Sequence, residues 1–209
     1  WTLKLRRDVI WRSGRKFTAE DVVWNLKSVL DPRTGSSVLG LMKGYMITDV
    51  PGEEKDSAGN PRMVSRLWDA NAIEKLDDFT VRLNLKAPQL AVPEHLFHYP
   101  ACIIDPEENG KFAVGMNGTG PFELVEYEVT KRAVLRASRR YWGTGPFVDE
   151  VIFVDLGDEP GPEIAAMASR QIHSIVAVGP AAMPALKRLP NLDFYVVRTG
   201  ATVHARMHP

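Results

Sequence analysis

Residues 79–86 alternate apolar Phe79, Val81, Leu83 and Leu85 with polar Thr80, Arg82, Asn84 and Lys86. Successive side chains of a strand point to opposite faces, so this segment has one dry face and one wet one. Asp77-Asp78 supplies a turn just before it, and residues 73–86 therefore read as a β-hairpin. Whatever else the chain contains, it must include antiparallel sheet.

The same period of two opens the chain, where Trp1, Leu3 and Leu5 share a face opposite Thr2, Lys4 and Arg6. A turn is expected at Ser13-Gly14. Thr18 then precedes Ala-Glu-Asp in a pattern resembling a capping box, and Val22, Leu26, Val29 and Leu30 form a helical stripe that Pro32 ends. A turn and a short apolar helix through Val38, Leu41 and Met42 follow. Residues 51–62, rich in Pro, Gly and charge, read as an exposed loop or hairpin tip. Beyond the hairpin the sequence predicts a helix over 89–97 and a strand over 101–104. Further strands are expected over 122–127, 133–137 and 151–154, a helix over 163–169, and strands near Ile175 and Tyr195. Strand pairs first, then strands alternating with helices, make a mixed α/β chain with two subdomains. Glycine is dense over 115–120, which places the expected boundary there: residues 1–116 and 117–209.

The composition of the 209 residues, 44% hydrophobic and 25% charged, is that of a globular chain able to bury a core. Lys plus Arg equals Asp plus Glu at 26 each, without a long run of one sign, which argues against a nucleic-acid or anionic-membrane partner. Cys102 stands alone, excluding an internal disulfide and a cysteine-rich metal site. No stretch approaches the roughly 18 consecutive apolar residues of a membrane span. Trp1 already sits inside a strand pattern and Pro209 ends the chain abruptly, so the sequence is expected to be a fragment of a longer protein.

Candidate chemistry is sparse. Gly118-Thr119-Gly120-Pro121-Phe122 recurs as Gly143-Thr144-Gly145-Pro146-Phe147. In each copy the second glycine precedes a proline, which lacks the N–H a phosphate cradle uses, so turn chemistry is the favoured reading. His95 and His98, spaced i and i+3, could share a helix face, but only Glu94 stands nearby as a third ligand, so no metal site is assigned. No Gly-x-Ser-x-Gly elbow and no Cys-His pair can be proposed, so no catalytic residue and no cofactor is expected.

Four stretches in order decide between the remaining classes. They are Trp1 to Arg6 with Phe17-Thr18-Ala19-Glu20-Asp21-Val22-Val23 and Val29-Leu30-Asp31-Pro32; Leu76 through Pro88; Gly118 through Tyr127 with Arg136 to Trp142; and Phe147-Val148-Asp149-Glu150-Val151 with the helix leading to Arg170-Gln171-Ile172. Together they resemble family 5 of the extracellular solute-binding proteins, the oligopeptide and dipeptide receptors of ABC importers. Arg12-Ser13-Gly14-Arg15 is more basic than the turn usual in that family, and His173 stands where an acid is common.

The resemblance implies a fold like the type II periplasmic binding proteins. Residues 1–116 would be most of the small subdomain and 117–209 the middle segment of the first lobe, with the opposite lobe absent from this chain. It implies a periplasmic receptor, monomeric when full length, that closes over a small peptide or similar solute and delivers it to an ABC permease. Family members for nickel, opines and sugars keep the solute open. The expected ligand-binding positions are Thr34, Ser36 and Ser37 in the loop 34–38, then Tyr45, His98, Asn117, Gly118 and Thr119. The rival from another class is a protein-docking or chaperone-like envelope module; an enzyme ranks below both.

Overall fold

A computed structural model describes residues 1–197. The chain divides into two compact units, Trp1–Phe153 and Val154–Pro209. This division differs from the expected boundary near residue 117, which concerned the lobes of a larger protein and stays a proposal.

In the first unit, strand β1 (Thr2–Lys4) is followed by helix α1 (Ala19–Val29), a 310 turn (Pro32–Thr34) and helix α2 (Ser37–Met46). Strands β2 (Ile47–Lys55) and β3 (Pro61–Leu67) form a long hairpin. Strands β4 (Ile73–Asp77) and β5 (Thr80–Leu83) form the expected hairpin, although its second strand stops at Leu83 rather than running to Lys86, and β1 joins it with Leu3 opposite Val81, giving the order β1-β5-β4. The expected alternation is visible in burial: Val81 and Leu83 are buried while Arg82 is exposed.

α1 lies on this sheet. The N–H of Thr18 donates to Asp21 Oδ2 at 2.8 Å, the reciprocal half of a capping box, and the helix ends at Leu30, whose N–H returns to Leu26. Its stripe of Val22, Leu26 and Leu30 joins Val38, Met42, Met46, Ile47, Ile73, Val81, Leu83 and Val92 in one core. At about 25 cal/mol per Å2 of apolar surface, burying each large side chain contributes roughly 1.5–3 kcal/mol.

Helix α3 (Val92–Phe97) follows Gln89, and a three-stranded sheet of β6 (Phe122–Glu128), β7 (Arg132–Ala137) and β8 (Glu150–Val154) completes the unit. Among the described residues no sheet draws strands from both 1–116 and 117–197. The second unit holds α4 (Pro160–Ala168) and a short α5 (Met183–Leu186).

Several expectations need correction. Most of 51–62 is strand, and only residues 56–60 form the tip, where Gly59 takes a φ of +84°. Residues 101–104 form no strand: the chain turns through Tyr99–Ala101 as a 310 helix and then runs to Asp105, with the Ile104 N–H donating to Asn25 Oδ1 at 3.0 Å and its carbonyl accepting from the Asn25 amide at 2.8 Å. No strand forms near Ile175 or at Tyr195. There Val176 and Val196 are each 90% exposed, so these apolar residues lack the packed face that would hold a strand.

Candidate functional site

The turn after β1 carries the densest polar arrangement in the first unit. Gly14, at a φ of +95°, reverses the chain so that Trp11 N–H donates to the Arg15 carbonyl at 2.8 Å. Trp11 is fully buried, and its indole N–H donates to Asp21 Oδ2 at 3.2 Å. The Arg15 guanidinium then forks: Nη1 donates to Asp21 Oδ1 at 2.8 Å and Nη2 to Asp105 Oδ1 at 2.6 Å, while Nε lies 3.2 Å from Glu107 Oε1. Both aspartates are 2% exposed. Buried carboxylates persist only when paired, and the rigid fork of arginine meets two at once.

Asn117 ties a segment 104 residues further along the chain to this turn. Its amide donates to Asp105 Oδ2 and to Ser13 Oγ, its side-chain oxygen accepts from Ser13 N–H at 3.0 Å, and its own N–H donates to the Glu108 carboxylate at 2.9 Å. Arg12 adds a bond from its guanidinium to the Met116 carbonyl and one from its N–H to the Gly118 carbonyl at 3.0 Å. Burial alone would raise the Asp105 carboxyl. The Glu107 N–H, the Asn117 amide and the Arg15 charge outweigh it and hold the group below the ordinary carboxylate range. A shallow polar cavity of about 370 Å3 opens here, lined in part by Ser13, Glu108 and Asn117.

Tyr45 and His95 form a second pair. The Tyr45 hydroxyl lies 2.8 Å from His95 Nδ1, with the two rings near parallel at 5.8 Å between centroids. Tyr45 is 3% exposed, and burial pushes its phenol up to about 12. His98 does not share this contact: it caps the end of α3 in extended backbone and stacks on Tyr99 at 4.8 Å. The two histidines thus part company. No group of three or more potential metal ligands occurs among the described residues.

The loop 34–38 spends its side chains on the backbone. Thr34 Oγ1 reaches the Ser28 and Asp31 carbonyls at 2.9 and 2.8 Å, and Ser36 Oγ accepts from Val38 N–H at 3.3 Å as the N-cap of α2. Ser37 is exposed at the first position of that helix. Among the eight expected ligand positions, Tyr45, Thr34, Ser36 and Asn117 have their polar atoms engaged within the fold. Gly118 and Thr119 offer only their carbonyls to the fold, to Arg12 N–H and to the Trp142 indole at 2.9 Å. Their N–H groups have no partner among the described residues.

Arg15, Asp21 and Asp105 were outside the expected site. The basic turn and Asp21 at the helix start were visible as separate signals, but nothing in the sequence joined them to Asp105, ninety residues from Arg15.

This architecture has relatives. Bacterial extracellular solute-binding proteins, family 5 Middle, match residues 1–209 of the chain. The chain belongs to family 5. Within it, the dipeptide-binding protein DppE of Bacillus subtilis strain 168 is 28% identical over 148 residues, covering 68% of this chain and 25% of that protein. The dipeptide-binding protein of Escherichia coli K12 is 26% identical over 171 residues, covering 73% of this chain and 29% of its own length. Among solved structures, OppA of Burkholderia pseudomallei superposes with a TM-score of 0.63 at 23% identity, over 82% of this chain and 33% of that one. NikZ of Campylobacter jejuni, solved with Ni(L-His), does so at 0.62 and 20% identity over 82% of this chain. At these identities the superpositions establish the shared mixed α/β fold of family 5. The chain spans about a quarter to a third of these relatives' lengths.

Proposed function

We propose that this family 5 chain is part of the substrate-binding receptor of a bacterial ABC importer, which captures a short peptide or similarly sized polar solute in the periplasm and delivers it to a membrane permease. The observation that carries this reading is the family match along residues 1–209, joined by curated relatives named for dipeptides, di- and tripeptides and oligopeptides. The E. coli relative OppA is itself described as periplasmic.

The geometry supports a supporting-wall role for this part of the receptor. A peptide ligand presents main-chain carbonyls and N–H groups, and receptors of this kind meet them with backbone and small polar groups. The crossing 117–119 has such groups to give: half-buried N–H donors at Gly118 and Thr119, on a segment locked by Asn117 and Arg12. Ser37 and His98 are the further positions proposed to reach the ligand. Thr34, Ser36, Tyr45 and Asn117 would act by holding the wall in shape.

The test is native mass spectrometry of the full-length protein after gentle purification. A bound peptide or small polar solute, lost on partial unfolding and restored by refolding with it, is the expected result. Recovery of a nucleotide or a covalent substrate adduct would overturn the receptor reading.

A further inference from the structure

Among the described residues β2 and β3 form a sheet of two strands, so no strand there pairs with the outer edge of β3. The Trp68 N–H donates to the Met46 carbonyl at 3.0 Å, and the register continues with Arg66 opposite Thr48 and Val64 opposite Val50. In an antiparallel ladder the main-chain groups of alternate residues face the partner strand. Those of Arg66 and Val64 therefore point to β2, and those of Ser65 and Leu67 point away from it.

A groove of about 770 Å3 lies against this strand, and its wall takes every residue from Val64 to Trp68. A groove on the face of a sheet would meet only every second residue, so this one follows the edge. The opposite wall comes from the end of α1 and the 310 turn, where Pro32 supplies apolar surface. Trp68, 37% exposed, completes the apolar part, and its ring is fixed by a 2.8 Å bond from its N–H to the Asn84 carbonyl.

The charges around the groove are unequal. Arg33 is held by Asp31 at 2.5 Å, and Asp69, which accepts only the neutral Asn71 N–H at 2.7 Å, keeps its charge, so the lining with Lys27 and Arg66 carries a net positive charge. Lys27 and Arg66 are exposed and have no ion-pair partner among the described residues. Both line the groove, while the acids Glu53, Glu54 and Asp56, in β2 and the hairpin tip, lie outside its lining.

We propose that this edge binds an extended acidic and apolar peptide segment of a partner protein by strand addition. The main chain of the segment pairs with Ser65 and Leu67, an apolar side chain seats between Pro32 and Trp68, and a carboxylate meets Lys27 and Arg66. Main-chain pairing supplies the affinity, and the alternate pockets supply the choice of partner. The lining of the groove includes none of the eight expected solute positions.

The probe is a hexapeptide alternating Asp and Leu, acetylated and amidated so that no terminal charge remains, added to the full-length protein. Hydrogen exchange at single-residue resolution should show new protection at the Ser65 and Leu67 amides. Arg66→Glu, an exposed change, should weaken the probe by at least about tenfold through charge reversal. Ser65→Pro should do the same, because it deletes a donor that faces away from β2, with circular dichroism confirming that both variants fold. Absence of protection, or equal binding of a matched Lys and Leu hexapeptide, would overturn the proposal. So would protection of these amides that rises with protein concentration and needs no probe, which would mean that a second copy of the chain covers the edge.

Discussion

Arg15 Nη2 donates to Asp105 Oδ1 at 2.6 Å across ninety residues of sequence. Since Nη1 of the same guanidinium holds Asp21 at the start of α1, one side chain fastens the turn after β1 both to the helix and to the chain entering the 310 turn at Pro106–Glu108. The pair does more than neutralise charge. It fixes where Asn117, and therefore the Gly118-Thr119 crossing, must lie.

Asp105→Asn should destabilise the protein at neutral pH by about 2 kcal/mol, the scale of a lost hydrogen bond to a charged group. The Asp105 carboxyl sits below the ordinary value of 3.8 in the folded protein. Its contribution is therefore fully present above that value and is lost as pH falls through the folded one. Urea unfolding of both proteins between pH 7 and pH 3 checks this: the gap between the curves should hold down to about pH 4 and then close. A gap independent of pH would show that the charge of Asp105 contributes nothing.

Tyr45→Phe removes the hydroxyl next to His95 Nδ1 and should cost roughly 1 kcal/mol. The phenol is raised to about 12 from 10.0. A group raised in the folded state stabilises fully below its unfolded value and loses that contribution as pH rises through the folded one, so the wild type should weaken between pH 10 and about 12. Spectrophotometric titration of the phenols, compared between wild type and variant, should show one tyrosine that ionises late and together with unfolding.

Ser36→Ala should lower stability by about 1 kcal/mol, because the serine oxygen satisfies the Val38 N–H at the start of α2. Ser37→Ala, one residue on and exposed, should leave the thermal midpoint unchanged. Calorimetric unfolding of the two variants separates a capping role from a surface one.

The hairpin 73–86 and α1 were legible in the sequence because each is specified locally. The hairpin has a turn and a strict alternation, and the helix a cap, a stripe and a proline stop. β3 was not legible. Met63 and Val64 are neighbours, both exposed, and five of its seven residues are exposed, so no dry face wrote a period into the sequence. Its stability comes from pairing with β2, a relation that periodicity does not report. The apolar runs near Ile175 and Tyr195 mislead in the opposite sense, since short runs of β-branched and aromatic residues look alike whether or not a sheet receives them. For the site, the glycines of 118–120 pointed to the crossing itself. Its anchorage to Asp105 and Ser13 depends on contacts 12 and 104 residues apart, which no local pattern carries.

Gly118→Ala separates support from ligand contact at that crossing. The φ of Gly118 is one that other residues adopt, and an added methyl would meet only Arg12 Nη2, at 3.7 Å, an ordinary contact. Folding should tolerate the change, with a stability effect within about 0.5 kcal/mol. A ligand backbone drawn up against the half-buried Gly118 and Thr119 N–H groups would not tolerate it, because the methyl occupies the space of that approach. Isothermal titration of the full-length protein with the solute identified by native mass spectrometry should show affinity reduced by about tenfold or more, corresponding to 1.4 kcal/mol. Thr119→Val, which keeps the backbone donor, should bind within about threefold of wild type if the N–H groups make the contact. Unchanged affinity in Gly118→Ala would remove residues 117–119 from the ligand site and leave Asn117 with a structural role alone.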